Sequence, residues 1–420
     1  MEFMKRPLAP ESPIFSLFDG LEFMNFLVGD DMIADRDAKH ALKCLRNLTM
    51  RDAGMKFRGF RITINHYIYP RRPAVRAAAL TDVSVMGKVT CPWDPTIDTS
   101  MSLPTFTPST TADDVAATFA EQIRGKNVLI TGTSVNGIGF EAARVLAKYA
   151  NLVIITGLRL SEETIKKEVP SANIRQLVLD LSSMAAVRKA AEEVNAYSEP
   201  LHVLIHNAAA PAGKKITLTV DGLERQMAVA QIGPFLLTKL LAPKLLAARS
   251  ANYTPRVVMV SSKGHMRGSG VNLSTVAHPD PEKHTESDGY FQAKSANILF
   301  ASELTKRAEG KINAYSLHPG LIHTNIEHNE GAKDILIIAG ILTPEGLPNL
   351  NSPLKWKTLG QGAATTVAAA FDTRLDAKPG SYLVDSVEAN DQIAPHSSDP
   401  ERAAKLWTIT EKIVGEKFTF

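Results

Sequence analysis

The 420 residues, 44% apolar and 22% charged, have the composition of a folded globular protein long enough to bury a large core. Lys and Arg number 47 against 44 Asp and Glu, a balance that gives no electrostatic reason to expect nucleic acid or an anionic membrane as a partner. The only cysteines, Cys44 and Cys91, exclude a disulfide framework, and they exclude thiolate-held zinc or thiol catalysis from the last 320 residues.

The N-terminal MEFMKRPLAPESP lacks the apolar core of a signal peptide. The longest apolar run, Ile335 to Leu342, has eight residues, too few for a membrane span. A cytoplasmic protein without an integral membrane segment is the resulting expectation. Residues 1–100 carry 14 Lys/Arg and 12 Asp/Glu with little periodicity, which reads as an extension of low information content, disordered or solvated. Seven basic residues and one acid lie between Arg51 and Arg76. A basic docking arm is the alternative to a solvated extension there. Met101 offers a clean start for the domain that follows, residues 101–420.

From Gly125 short apolar runs alternate with helical stretches: NVLIT, FEAARVLAKYA, LVIIT, RQLVLD, AAVRKAAEEVNAY, LHVLIH, a long apolar helix, RVVMV, SANILFASELTKRA and INAYSLH. Uninterrupted apolar strands between amphipathic helices predict a parallel sheet covered on both faces. Right-handed crossovers then make it an open, doubly wound, Rossmann-like α/β sheet. The chain closes with a capped helix, Pro400 in its first turn and Leu406, Ile409 and Ile413 on one face, expected to pack on the domain.

The first strand runs into TGTSVNGIG, with Gly132, Gly137, Ile138 and Gly139 opening a helix. Glycines allow close backbone approach to a diphosphate, and the helix N-terminus behind them offers free N–H groups. Glycines also mark ordinary strand–helix turns, but here the strand–turn–helix context makes a dinucleotide the expected ligand. At the end of the second strand NAD binders usually carry an acid for the ribose 2′-OH. This chain has Arg159 there and no acid before Glu162. A guanidinium suits a 2′-phosphate, so NADP(H) is favoured over NAD(H).

Three features follow at the carboxyl ends of later strands. RVVMV leads into Ser261 and Ser262; Tyr290 and Lys294 lie four apart on one helix face; INAYSLH ends in His318, Pro319 and Gly320, with Thr324 beyond. A Y-x-x-x-K pair alone is usually a solvated helix face, whereas the pair after a glycine loop and a strand-end serine is a specific combination.

On TGTSVNGIG, Asp180–Leu181, HNAA at His206–Ala209, SSKGH at Ser261–His265, YFQAKSANILF from Tyr290, SLHPGLIHTNI from Ser316, and the tail QGAATTVAAAF with SYLVD, the chain resembles the short-chain dehydrogenase/reductase family. Within it the sequence is similar to the retinol-dehydrogenase and WW-domain-oxidoreductase branch of the fungal type. The resemblance spans about Gly125 to Gly415 and none of residues 1–100. It implies an oxidoreductase interconverting a carbonyl and an alcohol. Tyr290 would be the acid–base, Lys294 its electrostatic support and a partner of the nicotinamide ribose, and Ser262, preferred over Ser261, the holder of the substrate oxygen. It further implies Asp180 on the adenine amino group, Asn207 fixing the cofactor backbone, and Thr324 on the carboxamide or diphosphate, with Pro319 and Gly320 beside it.

Three departures stand out. The glycine loop is one residue longer than the family's common form, and the 157–161 segment is short. Ala230 occupies the place of the family's catalytic Asn, so the carbonyl that would hold a relay water remains but the side chain is lost. A catalytically weak, dinucleotide-binding regulatory or scaffold protein is therefore the alternative function. Spacing of five places His318, His323 and His328, with Glu327, on no common helix face, so no metal is expected. Phe291 and the Asp334–Leu342 run suggest a lipophilic small-molecule substrate under a lid, an ordinary buried helix being the alternative for that run. The helices around Gln226–Lys239 and Tyr290–Arg307 are candidates for pairing in a homo-oligomer.

Overall fold

The apolar runs become strands whose side chains alternate between two cores. The computed structural model describes residues 103–420 apart from 158, 211–215, 279, 281–284, 325–332, 334–335, 338–339 and 352–354. The cysteines, the basic stretch 51–76, Met101, Glu327 and His328 lie outside the described residues, as does part of the Asp334–Leu342 run. Within that run Leu336 and Ile337 are half-buried and Leu342 is buried.

The eight-stranded sheet has the order β10-β9-β6-β5-β4-β1-β2-β3. Its strands are β1 (Asn127–Thr131), β2 (Leu152–Thr156), β3 (Ile174–Gln176), β4 (Val203–His206), β5 (Arg256–Val260), β6 (Asn313–His318), β9 (Tyr382–Val384) and β10 (Val387–Glu388). All pairings are parallel except β10 on β9. Strand order reverses where β1 pairs with both β2 and β4, the crevice in which such sheets bind ligands. A separate parallel pair, β7 (Leu321–Ile322) with β8 (Trp356–Lys357), follows the His318–Pro319–Gly320 turn.

Period-two alternation sends Val128 and Ile130 of β1 to one core and Leu129 to the other. The first core is covered by α1 (Ala112–Thr118), α2 (Ile138–Leu146), α3 (Arg159–Glu168) and α7 (Leu359–Phe371), the second by α4 (Met184–Asn195), α5 (Gly233–Ala247), α6 (Glu286–Ala308) and α8 (Pro400–Val414). Helix α5 is entered through a π-turn, Ala228–Ile232.

Several expectations need correction. RQLVLD forms a strand only over Ile174–Gln176; Val178 is 90% exposed and the chain turns away from the sheet. Among the described residues one helix, Arg225–Ala247, is long and apolar enough to cross a membrane, although no unbroken apolar run marked it. Most of it is buried inside the fold, as befits a core helix between sheet and α8. The helices named as candidates for pairing with another copy pack along one side against α8. Trp407 of α8 stacks on Phe300 of α6 and meets Phe235 of α5 edge-on, while Gln231 donates to Thr410. Leu406 is buried, and Ile409 and Ile413 pack partly buried against the same core.

Candidate functional site

Gly132 leaves β1 with φ +71°, and a Cβ there would lie 2.6 Å from the Ala208 Cα. Only glycine meets both demands at low cost. The extra loop residue is absorbed by Asn136 in the left-handed conformation (φ 64°), after which Gly137 caps α2 in an extended conformation. Ile138 is the first residue of that helix. Gly139 is needed for space, since a Cβ would stand 2.2 Å from the Asn207 amide nitrogen. That amide donates to the carbonyls of Thr131 (3.0 Å) and Gly132 (2.9 Å). Asn207 therefore braces the loop's own backbone through its side-chain amide.

The loop is tied at its root as well. Thr131 Oγ1 accepts from the amides of Asn207 and Ala208, and Thr156 Oγ1 accepts from that of Gly132. At the end of β2, Gly157 lies against the hydroxyls of Thr133 and Ser161, both buried and without a hydrogen-bond partner. Buried hydroxyls normally find partners. Two orphans beside a glycine, at the carboxyl edge of β1 and β2, would suit the sugar end of a dinucleotide, were its diphosphate held at the α2 N-terminus. The short connection after β2 is what carries Ser161 back to Gly157, because α3 already begins at Arg159. Asp180 is exposed, and its Oδ1 accepts from the Ser182 amide (2.9 Å) and hydroxyl (2.6 Å), steering the chain toward α4.

Across the crevice, Ser261 and Ser262 emerge from β5. Ser261 is committed to the fold, its buried hydroxyl donating to the Lys294 carbonyl at 2.6 Å. Ser262 caps a 3₁₀ turn, Lys263–Met266, its Oγ accepting from the Gly264 amide at 3.0 Å. Its hydroxyl is close enough to the Tyr290 phenol to lower the pKa of that group. Lys294, one turn along α6 from Tyr290, is buried with Nζ 5.5 Å from the tyrosine ring centroid and donating to the Val260 carbonyl at 2.9 Å. Burial lowers this lysine to about 8, so it remains largely cationic at neutral pH. Burial raises the Tyr290 phenol, and the interaction with the Ser262 hydroxyl opposes that rise.

At the next strand His318 is held near 3 by burial, its Nδ1 accepting from the Lys263 amide at 3.3 Å. Pro319 is buried, Gly320 turns with φ +105° against the Lys357 side chain, and Thr324 is half-buried. Lys357 pairs with Asp385 in the β9–β10 turn. Thus Ser262, Tyr290 and Lys294 come together, the glycine loop and Asn207 form a second unit at the β1/β4 switch point, and Asp180 stands exposed. Phe291 lies beside Tyr290, ring centroids 6.0 Å apart.

Some of the site escaped sequence reasoning. Asn297 donates to the Ala230 carbonyl, and the frame Tyr290–Lys294–Asn297 was the available signal. His265 stood in the SSKGH motif, but nothing local gives it a partner in the C-terminal segment. Ala230 is buried and lies within the π-turn, so the turn forms without an Asn at that position.

A family model described as short chain dehydrogenase matches residues 126–334. Short-chain dehydrogenase/reductase prx1 of Penicillium roqueforti is 34% identical over 315 residues, covering 70% of this chain and 86% of that protein. The WW domain-containing oxidoreductase of Danio rerio is 33% identical over 311 residues, 71% of each chain. Among solved structures, an uncharacterized protein from Mycobacterium paratuberculosis aligns with TM-score 0.53 and 28% identity, over 72% of this chain and 98% of its own.

Proposed function

The chain belongs to the short-chain dehydrogenase family, in the branch of the WW domain-containing oxidoreductases, and from that premise we propose that it is an NADP(H)-dependent oxidoreductase interconverting a carbonyl and an alcohol on a small lipophilic substrate. The observation that carries the reading is the approach of the Ser262 hydroxyl, the Tyr290 phenol and the buried Lys294 ammonium at the carboxyl end of β5. Residues 101–420 are proposed as the cofactor-binding and catalytic domain, acting in the cytoplasm.

When bound, the reduced nicotinamide supplies hydride to the carbonyl carbon. Ser262 holds the substrate oxygen, and Tyr290 gives that oxygen its proton. The nearby Lys294 charge favours the phenolate that results, offsetting the burial that disfavours it. In the oxidative direction Tyr290 takes the alcohol proton. Gly132, Gly137, Ile138 and Gly139 would cradle the diphosphate. Lys294, Pro319, Gly320 and Thr324 would hold the nicotinamide end and Asp180 the adenine. Arg159, at the first position of α3, supports NADP(H) over NAD(H) by the charge it would offer a 2′-phosphate. Phe291 beside Tyr290 supports a lipophilic substrate.

The second reading, a dinucleotide-binding regulatory protein with weak chemistry, draws on one observation: the Ala230 carbonyl is already engaged by Asn297. The two separate in a fluorescence titration with NADPH and NADH followed by turnover of a carbonyl panel. Tighter NADPH binding, with turnover that Tyr290→Phe abolishes without loss of binding, is expected. Binding without turnover would favour the regulatory reading, and tighter NADH binding would overturn the assignment to Arg159.

A further inference from the structure

We propose that His265 is a positioning residue that clamps the backbone of Ser262 and fastens the C-terminal segment Ala394–His396 across the catalytic turn. The inference rests on the oxidoreductase reading for its effect on turnover, and on hydrogen-bond geometry alone for the clamp.

His265 is completely buried. Its Nδ1 lies 2.7 Å from the Ser262 carbonyl, and its Nε2 lies 3.3 Å from the Ala394 amide. The Ser262 carbonyl can only accept, so Nδ1 carries a proton and donates to it, while Nε2 faces the Ala394 amide, which can only donate; the Gln392 backbone also lies beside the ring. The tautomer protonated at Nδ1 serves the Ser262 and Ala394 contacts together. The His265 amide also donates to the same Ser262 carbonyl, at 3.1 Å, so both acceptor sites of that oxygen are used and the peptide plane after Ser262 is fixed. With Oγ accepting from Gly264, the hydroxyl proton of Ser262 is left for the phenol or the substrate.

The other side of the clamp is equally specific. The His265 carbonyl accepts from His396 Nε2 at 2.8 Å. Ser397 hydrogen-bonds Ser295, the residue after Lys294, at 2.8 Å. The Tyr382 ring closes on the imidazole edge-on at 5.2 Å. Core filling alone would be served by an apolar side chain; a buried donor and acceptor on opposite sides of one ring serve to hold two backbones at a fixed separation.

The test uses the full chain and the variants His265→Ala and His265→Asn, the Asn amide being able to donate to Ser262 but not to reach Ala394. Misplacement of Ser262 in His265→Ala should lower kcat on the carbonyl panel by about 100-fold while NADPH affinity stays within about twofold. His265→Asn should recover most of that kcat, yet leave amide exchange fast over residues 390–398. A kcat unchanged in His265→Ala, or an Asn variant no better than Ala, overturns the proposal. If the unmodified chain reduces no carbonyl, the oxidoreductase reading fails by itself, and hydrogen exchange decides the clamp. Lost protection over residues 262–266 and 390–398 in His265→Ala supports it, and unchanged protection overturns it. Should the Ala variant not fold, faster exchange at 390–398 than at 262–266 in His265→Asn supports the clamp, and equal protection overturns it.

Discussion

The side-chain amide of Asn297 donates to the carbonyl oxygen of Ala230, joining α6 to the π-turn that opens α5. Both residues are buried, at 2% and 5% exposure. The carbonyl that the resemblance assigns to a relay water therefore already has a protein donor, and the π-turn is held from outside itself.

Removing that donor should be costly. Asn297→Ala leaves a buried carbonyl without a partner, with an expected loss of about 1–3 kcal/mol. Urea unfolding of the variant against the unmodified chain measures it, and coincident midpoints would refute the role given to Asn297.

Gly139→Ala should damage cofactor binding more than folding. The new methyl meets the Asn207 amide nitrogen at 2.2 Å and the Gly132 carbonyl at 2.6 Å, so the brace under the phosphate loop must shift. NADPH affinity is expected to fall by about tenfold or more, since loss of roughly one charge-assisted or two ordinary hydrogen bonds costs about 1.5–3 kcal/mol. Unaltered affinity in a fluorescence titration would show that the loop tolerates displacement of Asn207.

Lys294 makes stability depend on pH with a definite sign. Its folded value, about 8, lies below the ordinary 10.5, so between these values the unfolded chain binds the proton and the folded chain does not. Stability from this group therefore rises as pH climbs from about 8 toward 10.5, by up to about 1.4 kcal/mol per pH unit. Tyr290, raised by burial, acts oppositely: its contribution is lost as pH rises through its folded value. Urea midpoints at about pH 7.5 and 9.5 should show the unmodified chain gaining on Lys294→Met. Parallel behaviour of the two proteins would contradict the lowered lysine.

Trp407 carries the attachment of α8. It stacks on Phe300 and Phe418, meets Phe235 edge-on, lies under the Arg307 guanidinium at 4.9 Å, and donates to Glu411. Trp407→Ala should cost about 3–5 kcal/mol, as large-to-small core substitutions do. It should also uncover the α5 and α6 faces, so size-exclusion chromatography of the variant is expected to show self-association. A monodisperse variant within about 1 kcal/mol of the unmodified chain would deny α8 that role.

The apolar runs NVLIT, LVIIT and RVVMV, with amphipathic helices between them, determined a parallel doubly wound sheet without any coordinate, because strand burial and helix periodicity are local properties of the chain. The same locality made the glycine loop legible, and it made the Tyr290/Lys294 pair legible because four residues are one helical turn. Val178 shows the limit: its apolar neighbours suggested a longer strand, but whether β3 continues depends on β2 reaching far enough to pair with it. Tertiary structure alone decided that the Asn207 amide reaches the loop's carbonyls, that α8 packs on α5 and α6, and that Asn297 meets Ala230. The His265 imidazole likewise meets an amide 129 residues later in the chain. Hydrogen bonds between distant segments depend on the direction and separation of two backbones, which are fixed only when the whole core has packed.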